Sequence, residues 1–229
     1  MAQTLAAQQK ARERELELKE KELELSKARA ELRKALVEAR EAEDKYDRDR
    51  ESRYAKAAAD RSANRRYYFN TDVTRTSVGA ARDQVLAWAA AAPGEPILFE
   101  INSNGGSVTA GLDLFGVLRS VSRNGTPVTT RATGYAGSMA SALVQAGDVR
   151  EMFAETWLMI HEPSNGEYGT VTEMENFARD MVLERKALAA LYAERSQLSE
   201  AQILRRIKGR DWLLGATEAL ELGLVDRVV

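Results

Sequence analysis

From about Ala6 to Asn64 the chain contains no glycine and no proline, whereas from about Arg65 glycine, aromatic and β-branched residues recur at regular intervals. That break constrains the fold more than any other feature. A stretch free of chain breakers and dominated by Glu, Lys, Arg, Ala and Leu propagates as helix. It cannot bury a core by itself, so it reads as an appendage. Oppositely charged residues stand three and four apart in it, as Glu17 and Lys21 do, and such pairs each add about 0.2–0.5 kcal/mol to an exposed helix. If continuous, about 58 residues make a rod of roughly 85–90 Å. Leu18, Leu25, Leu32, Ala39 and Tyr46 are spaced seven apart, and Leu16, Leu23, Ala30 and Val37 form a second row. Alanine at such a seam buries little area, so the pattern is coiled-coil-like but thin. A solvated single helix, and a helix that pairs with its copies or docks a partner, both fit it. We divide the chain into an arm, 1–64, and a folded domain, 65–229.

The second region alternates short apolar runs with helical patterns. A strand-like run starts at Tyr67, Ile97–Ile101 reads as a strand, Thr109–Val121 as a helix and Pro127–Ala132 as a strand. A small-residue helix is expected over Gly137–Gly147, with strands near Arg150–Phe153 and Trp157–Ile160. A long amphipathic helix over Thr172–Arg195 and a shorter one over Leu198–Lys208, capped at Ser199, complete the pattern. Strands alternating with helices imply crossover connections, hence an α/β fold with a mainly parallel sheet.

Several function classes are set aside early. The chain of 229 residues has no cysteine, which excludes disulfides and thiol catalysis, and a single histidine, which argues against a structural zinc site. A net charge of −2 gives no overall field for nucleic acid or an anionic membrane. The most apolar window, Val85–Ala92, is far shorter than the roughly 20 residues a bilayer requires. The N-terminus lacks the apolar core of a secretory signal, so a cytoplasmic protein is expected.

The lone histidine, His161, ends the apolar stretch Trp157–Ile160 and precedes Glu162 and Pro163. The C-terminal edge of a strand is where α/β folds hold their sites. Ser138 lies in Gly134-Tyr135-Ala136-Gly137-Ser138-Met139-Ala140-Ser141, a run of small residues where a strand turns into a helix. Small neighbours let a substrate backbone approach, and a helix start favours developing negative charge. Gly105 and Gly106, again between strand and helix, can aim an amide N–H into a cleft. Asp211 sits at a turn before an apolar segment. A serine nucleophile needs a base within reach, and the base needs an acceptor that fixes its tautomer. Ser138, His161 and Asp211 are of those types, but spacing alone does not bring them together.

Taken in order, these segments closely resemble the Clp protease proteolytic subunit. The run Ile97–Gly111 is similar to that family's strand, glycine loop and helix start, and Gly134–Ser141 to its nucleophile segment. Leu158–Pro163 resembles its histidine segment, and Gly209–Asp226 its aspartate segment and C-terminal closure. The resemblance covers roughly Arg66–Val229 and leaves the arm outside it. It implies the ClpP/crotonase-like fold of repeated ββα-type units with a mainly parallel sheet, here preceded by the long N-terminal helix. It implies Ser138 as nucleophile, His161 as general base and then acid, and Asp211 as the group orienting His161. The backbone N–H groups of Gly106 and Met139 would form the oxyanion hole. Residues 164–169 and the helix after them resemble the handle by which two rings interlock. The expected assembly is a tetradecamer of two heptameric rings enclosing the active sites. Its partners would be protein or peptide substrates and an AAA+ unfoldase, which alone would use ATP; no cofactor is expected in this chain.

Two departures matter. Asn104 stands where the family has proline before the paired glycines, and asparagine tolerates turn conformations. The charged arm stands where the family has short axial loops that meet the unfoldase. That leaves three roles for it: guarding the pore, binding another partner or organising assembly. Signal-peptide peptidases share the fold but pair serine with lysine, and crotonases have no catalytic serine; the His161 and Asp211 matches argue against both. The leading expectation is a serine endopeptidase acting on unfolded or tethered proteins. The alternatives are a viral head-maturation protease cutting capsid or scaffold protein, and a non-catalytic ring-forming subunit.

Overall fold

The computed structural model describes residues 63–164, 166 and 168–229, with scattered positions between Glu24 and Ser52. The chain divides into two units, Met1–Ala59 and Asp60–Val229. Described positions of the first unit have helical backbone and are exposed, and Lys34 pairs with Glu38 at 3.9 Å. The expected continuous helix and its coiled-coil seam fall largely outside the described residues.

In the second unit the elements run β1 (Arg66–Phe69), α1 (Arg75–Ala91), β2 (Ile97–Ser103), α2 (Val108–Arg123), β3 (Val128–Gly137) and α3 (Met139–Val144). Next come β4 (Val149–Met152), β5 (Trp157–Ile160), α4 (Val171–Ala193), α5 (Glu200–Ile207), β6 (Trp212–Gly215), α6 (Ala216–Glu221) and β7 (Arg227–Val228). Strand order is β1-β2-β3-β4-β7, all parallel, with β5 joining the second half of β3 and pairing antiparallel with β6. This is an α/β fold with a mainly parallel sheet. Helix starts follow local chemistry: Thr74 with Ser77, Thr170 with Glu173 and Ser199 with Gln202 each form a reciprocal capping box. No helix among the described residues is long and apolar enough to cross a membrane.

Alternation along β2 sends Ile97, Phe99 and Ile101 into the core, where Val78, Val85, Leu114 and Leu118 from α1 and α2 are also fully buried. Each such side chain contributes about 1.5–3 kcal/mol of transfer free energy. The opposite face of the sheet carries charge. Arg66 grips Glu100 through two bonds of 2.9 and 2.8 Å, and Arg131 holds Glu151 at 2.8 and 2.7 Å. Arg131 also reaches Glu100 at 3.4 Å and Arg227 lies 3.8 Å from Glu151, so the ladder crosses five strands.

Two expectations are corrected. The strand expected to end at Ala132 runs to Gly137, and the expected helix over Gly137–Gly147 shrinks to the six residues of α3. The reason lies at Ser138, whose φ of 51° no continuing helix or strand can absorb. The helix stops at Val144, and Gly147 beyond it packs so closely on β3 that a Cβ there would stand 2.4 Å from Thr130 Oγ1. Helix α1 lies in a segment for which the sequence pattern assigned no element.

Candidate active site

Ser138 is where β3 stops. Its N–H donates to the Met159 carbonyl of β5 at 2.8 Å, and its φ/ψ of 51°/−127° is strained for a residue with a Cβ. Such backbone costs about 1–3 kcal/mol and persists only where the surroundings over-determine it. Here a buried hydroxyl pair does so. Ser141 Oγ is 2.7 Å from the Ser138 carbonyl and 3.0 Å from the Met159 carbonyl. Tyr192, on α4 and buried, brings its hydroxyl 2.7 Å from Ser141 Oγ and 3.4 Å from the Ser138 carbonyl. Burial pushes the Tyr192 phenol far above its usual range, the bond to Ser141 pulling only partly back, so it remains a donor.

The glycine loop completes the mould. Gly105 has φ +101° and presses against Ser138 so closely that a Cβ would lie 2.7 Å from the serine Cβ and 2.6 Å from the Gly137 carbonyl. Gly106, at φ +142°, packs on Val73, whose N–H and carbonyl bond Gly105 and Ser107 on either side of it. The N–H groups of Gly106 and of Met139, the first residue of α3, have no acceptor among the described residues.

Because β5 pairs with the end of β3 in the register Gly137↔Met159, His161 leaves the sheet beside Ser138. Its Nε2 lies 2.7 Å from Ser138 Oγ, with the Nε2/Nδ1 proton free to suit the partner. Asp211 ends the turn between α5 and β6, with its Oδ1 3.6 Å from His161 Nδ1. That is ion-pair distance, longer than a hydrogen bond, and the carboxylate side chain is 70% exposed. Ser138 and His161 are thus in contact, with Asp211 one short displacement away. Ser138 and His161 line a cleft of about 650 Å³ that also has Gly106 on its walls, whereas Asp211 lies behind His161 and is not among the lining residues.

This is a serine hydroxyl at a strained strand-to-helix turn, an imidazole in contact with it, and two amide N–H groups without an acceptor among the described residues. The family model described as Clp protease matches residues 49–229. The chain belongs to the Clp protease family. It is 34% identical to ATP-dependent Clp protease proteolytic subunit 1 of Chlamydia muridarum over 169 residues, which cover 72% of this chain and 86% of that protein. The subunit of Porphyromonas gingivalis is 32% identical over 71% of this chain and 72% of its own length, and subunit 1 of Streptomyces avermitilis 35% identical over 75% and 78%. Family membership makes this chain a serine-type peptidase.

Within this Clp protease domain the geometry gives parts to residues to which the sequence assigned none. Glu162, next to His161, accepts from the Gly209 N–H at 3.0 Å and from Arg185 of α4 at 2.6 Å. Those bonds, the Gly209 one foremost, hold its carboxyl below the usual range. Glu162 therefore ties the end of β5 to the turn that carries Asp211. Burial, and after it the Asp211 charge, raises the phenol of Tyr135. Glu162 stood within the histidine segment and Ser141 within the small-residue run, each legible only as a neighbour, whereas Tyr192 had no signal beyond ordinary helix composition.

Proposed function

We propose that this protein is a serine endopeptidase in which Ser138 attacks, His161 moves the proton and Asp211 orients His161. The observation that carries the reading is the 2.7 Å approach of Ser138 Oγ and His161 Nε2 at a backbone whose strain is held in place by its neighbours. In the proposed reaction the Ser138 hydroxyl adds to a peptide carbonyl as its proton passes to Nε2. The C–N bond then breaks, the amine leaves with that proton, and a water deprotonated by His161 hydrolyses the acyl ester. The N–H groups of Gly106 and Met139 are free to meet the oxyanion, a role in which one donor is worth about 10²–10³ in rate. Closing the 3.6 Å gap to a hydrogen bond would bring Asp211 into its role, and ring assembly is the event to which we assign that closure.

At the level of the assembly we propose two stacked heptameric rings with the active sites inside, fed by an AAA+ unfoldase. The test treats the purified protein and Ser138→Ala with a serine-reactive fluorophosphonate after sizing both by chromatography. Labelling of the unaltered protein alone is expected. Labelling of neither, in preparations of equal size, would overturn the assignment of Ser138.

A further inference from the structure

One stripe of α4 has no part in that reaction. Phe177, Asp180, Met181 and Glu184, spaced i, i+3, i+4 and i+7, share one face of the helix and line the cleft that holds Ser138 and His161. Phe177, Met181 and Glu184 are half-buried, and Asp180 is exposed at the rim. Neither acidic side chain has a hydrogen-bond or ion-pair partner among the described residues, in contrast to the adjacent Glu162 with its Arg185 and Gly209. Among the described residues, no lysine or arginine lines the cleft. Two uncompensated carboxylates on a concave wall focus negative potential there. Solvent screens Asp180 strongly and the half-buried Glu184 less.

A side chain suited to this wall has an apolar stem to lie along Phe177 and Met181 and a cationic tip to reach Glu184. Lysine and arginine have that form; leucine leaves the carboxylate unpaired, and glutamate meets like charge. We infer that this wall is the specificity determinant of the cleft and selects polypeptide segments with a lysine or arginine beside the scissile bond, Glu184 pairing with the cation and Asp180 attracting it. This inference rests on Ser138 as the nucleophile of the same cleft.

The test uses a mixture of short unstructured peptides, which need no unfolding, with cut sites mapped by mass spectrometry for the full chain and for Glu184→Gln. Fluorophosphonate labelling of both preparations runs alongside. In the unaltered protein, cleavage next to Lys or Arg is expected to exceed cleavage next to Leu about tenfold, and Glu184→Gln to remove most of that ratio. Raising the ionic strength with the unaltered protein should erode the same ratio. A labelled protein whose cut sites ignore Lys and Arg, or whose preference is indifferent to salt, overturns the inference while leaving Ser138 in its role. A labelled Glu184→Gln with an unchanged ratio does the same. An unlabelled, inactive chain sinks both together, and the absence of label tells the two failures apart.

Discussion

At the scale of single residues, the site depends on groups that never meet substrate. The Ser138 backbone stays at φ 51° because Ser141 and Tyr192 hold its carbonyl from below. Ser141→Ala leaves the buried Tyr192 hydroxyl and the Met159 carbonyl with fewer partners. It should cost about 1–3 kcal/mol in urea unfolding. It should also slow fluorophosphonate labelling by more than that loss of stability explains. Tyr192→Phe, which keeps the ring and removes one bond, should cost about 1 kcal/mol and slow labelling less. Equal labelling rates in all three proteins would reduce the hydroxyl pair to ordinary packing. Ser138, His161 and Asp211 were legible in the sequence because their segments carry motifs. Ser141 was visible only as one more small residue of its run, and Tyr192, 51 positions away, becomes its partner solely through folding.

Among the elements, those with strong local signals were the legible ones. Trp157–Ile160 is a strand with the bounds its apolar run suggests, and Ser199 caps α5 as its hydroxyl and position imply. The run from Gly134 to Ala142 resisted reading because small residues suit the end of a strand and the start of a helix equally, and only the turn at Ser138 separates them. Polar residues inside β2 and β3 were equally opaque. Glu100 and Arg131 become partners through the register Glu100↔Arg131, which a one-residue slip would destroy by moving each to the other face. The glycine loop makes the sharpest prediction at this scale. Gly105→Ala would add a Cβ 2.7 Å from that of Ser138 at a φ of +101°, so the loop must withdraw. Labelling of Ser138 should fall at least tenfold, with about 1–3 kcal/mol lost in unfolding. A fully labelled Gly105→Ala protein would mean that the loop does not shape the site.

Across the whole domain, the C-terminal strand is fastened by charge. Arg150 is buried and bonds Asp226 at 2.6 and 3.1 Å while also holding Gln145 at 2.8 Å. Partial burial would raise the Asp226 carboxyl, but the Arg150 bonds outweigh it and the net shift is downward. A carboxyl lowered by folding stabilises the native state above its unfolded value, near pH 3.9, and loses that contribution as pH falls through the lower folded value. The urea midpoint of Asp226→Asn should therefore lie below that of the unaltered protein at pH 7, and the two should converge below about pH 4. A constant difference across that range would remove Asp226 from the acid response. The fold class was legible from the alternation of strands and helices, but the branching of the sheet was not, because it depends on one strand serving two sets of neighbours. β3 pairs with β2 along its length, with β4 through Thr129–Ala132 and with β5 through Tyr135–Gly137. Ser138 thus terminates the strand with the most neighbours, which has no exposed edge from which to fray. On heating, the backbone that carries Ser138 should therefore not be lost ahead of the domain; hydrogen-exchange protection at the end of β3 should collapse together with the calorimetric transition, and earlier loss there would show that the strand end frays by itself.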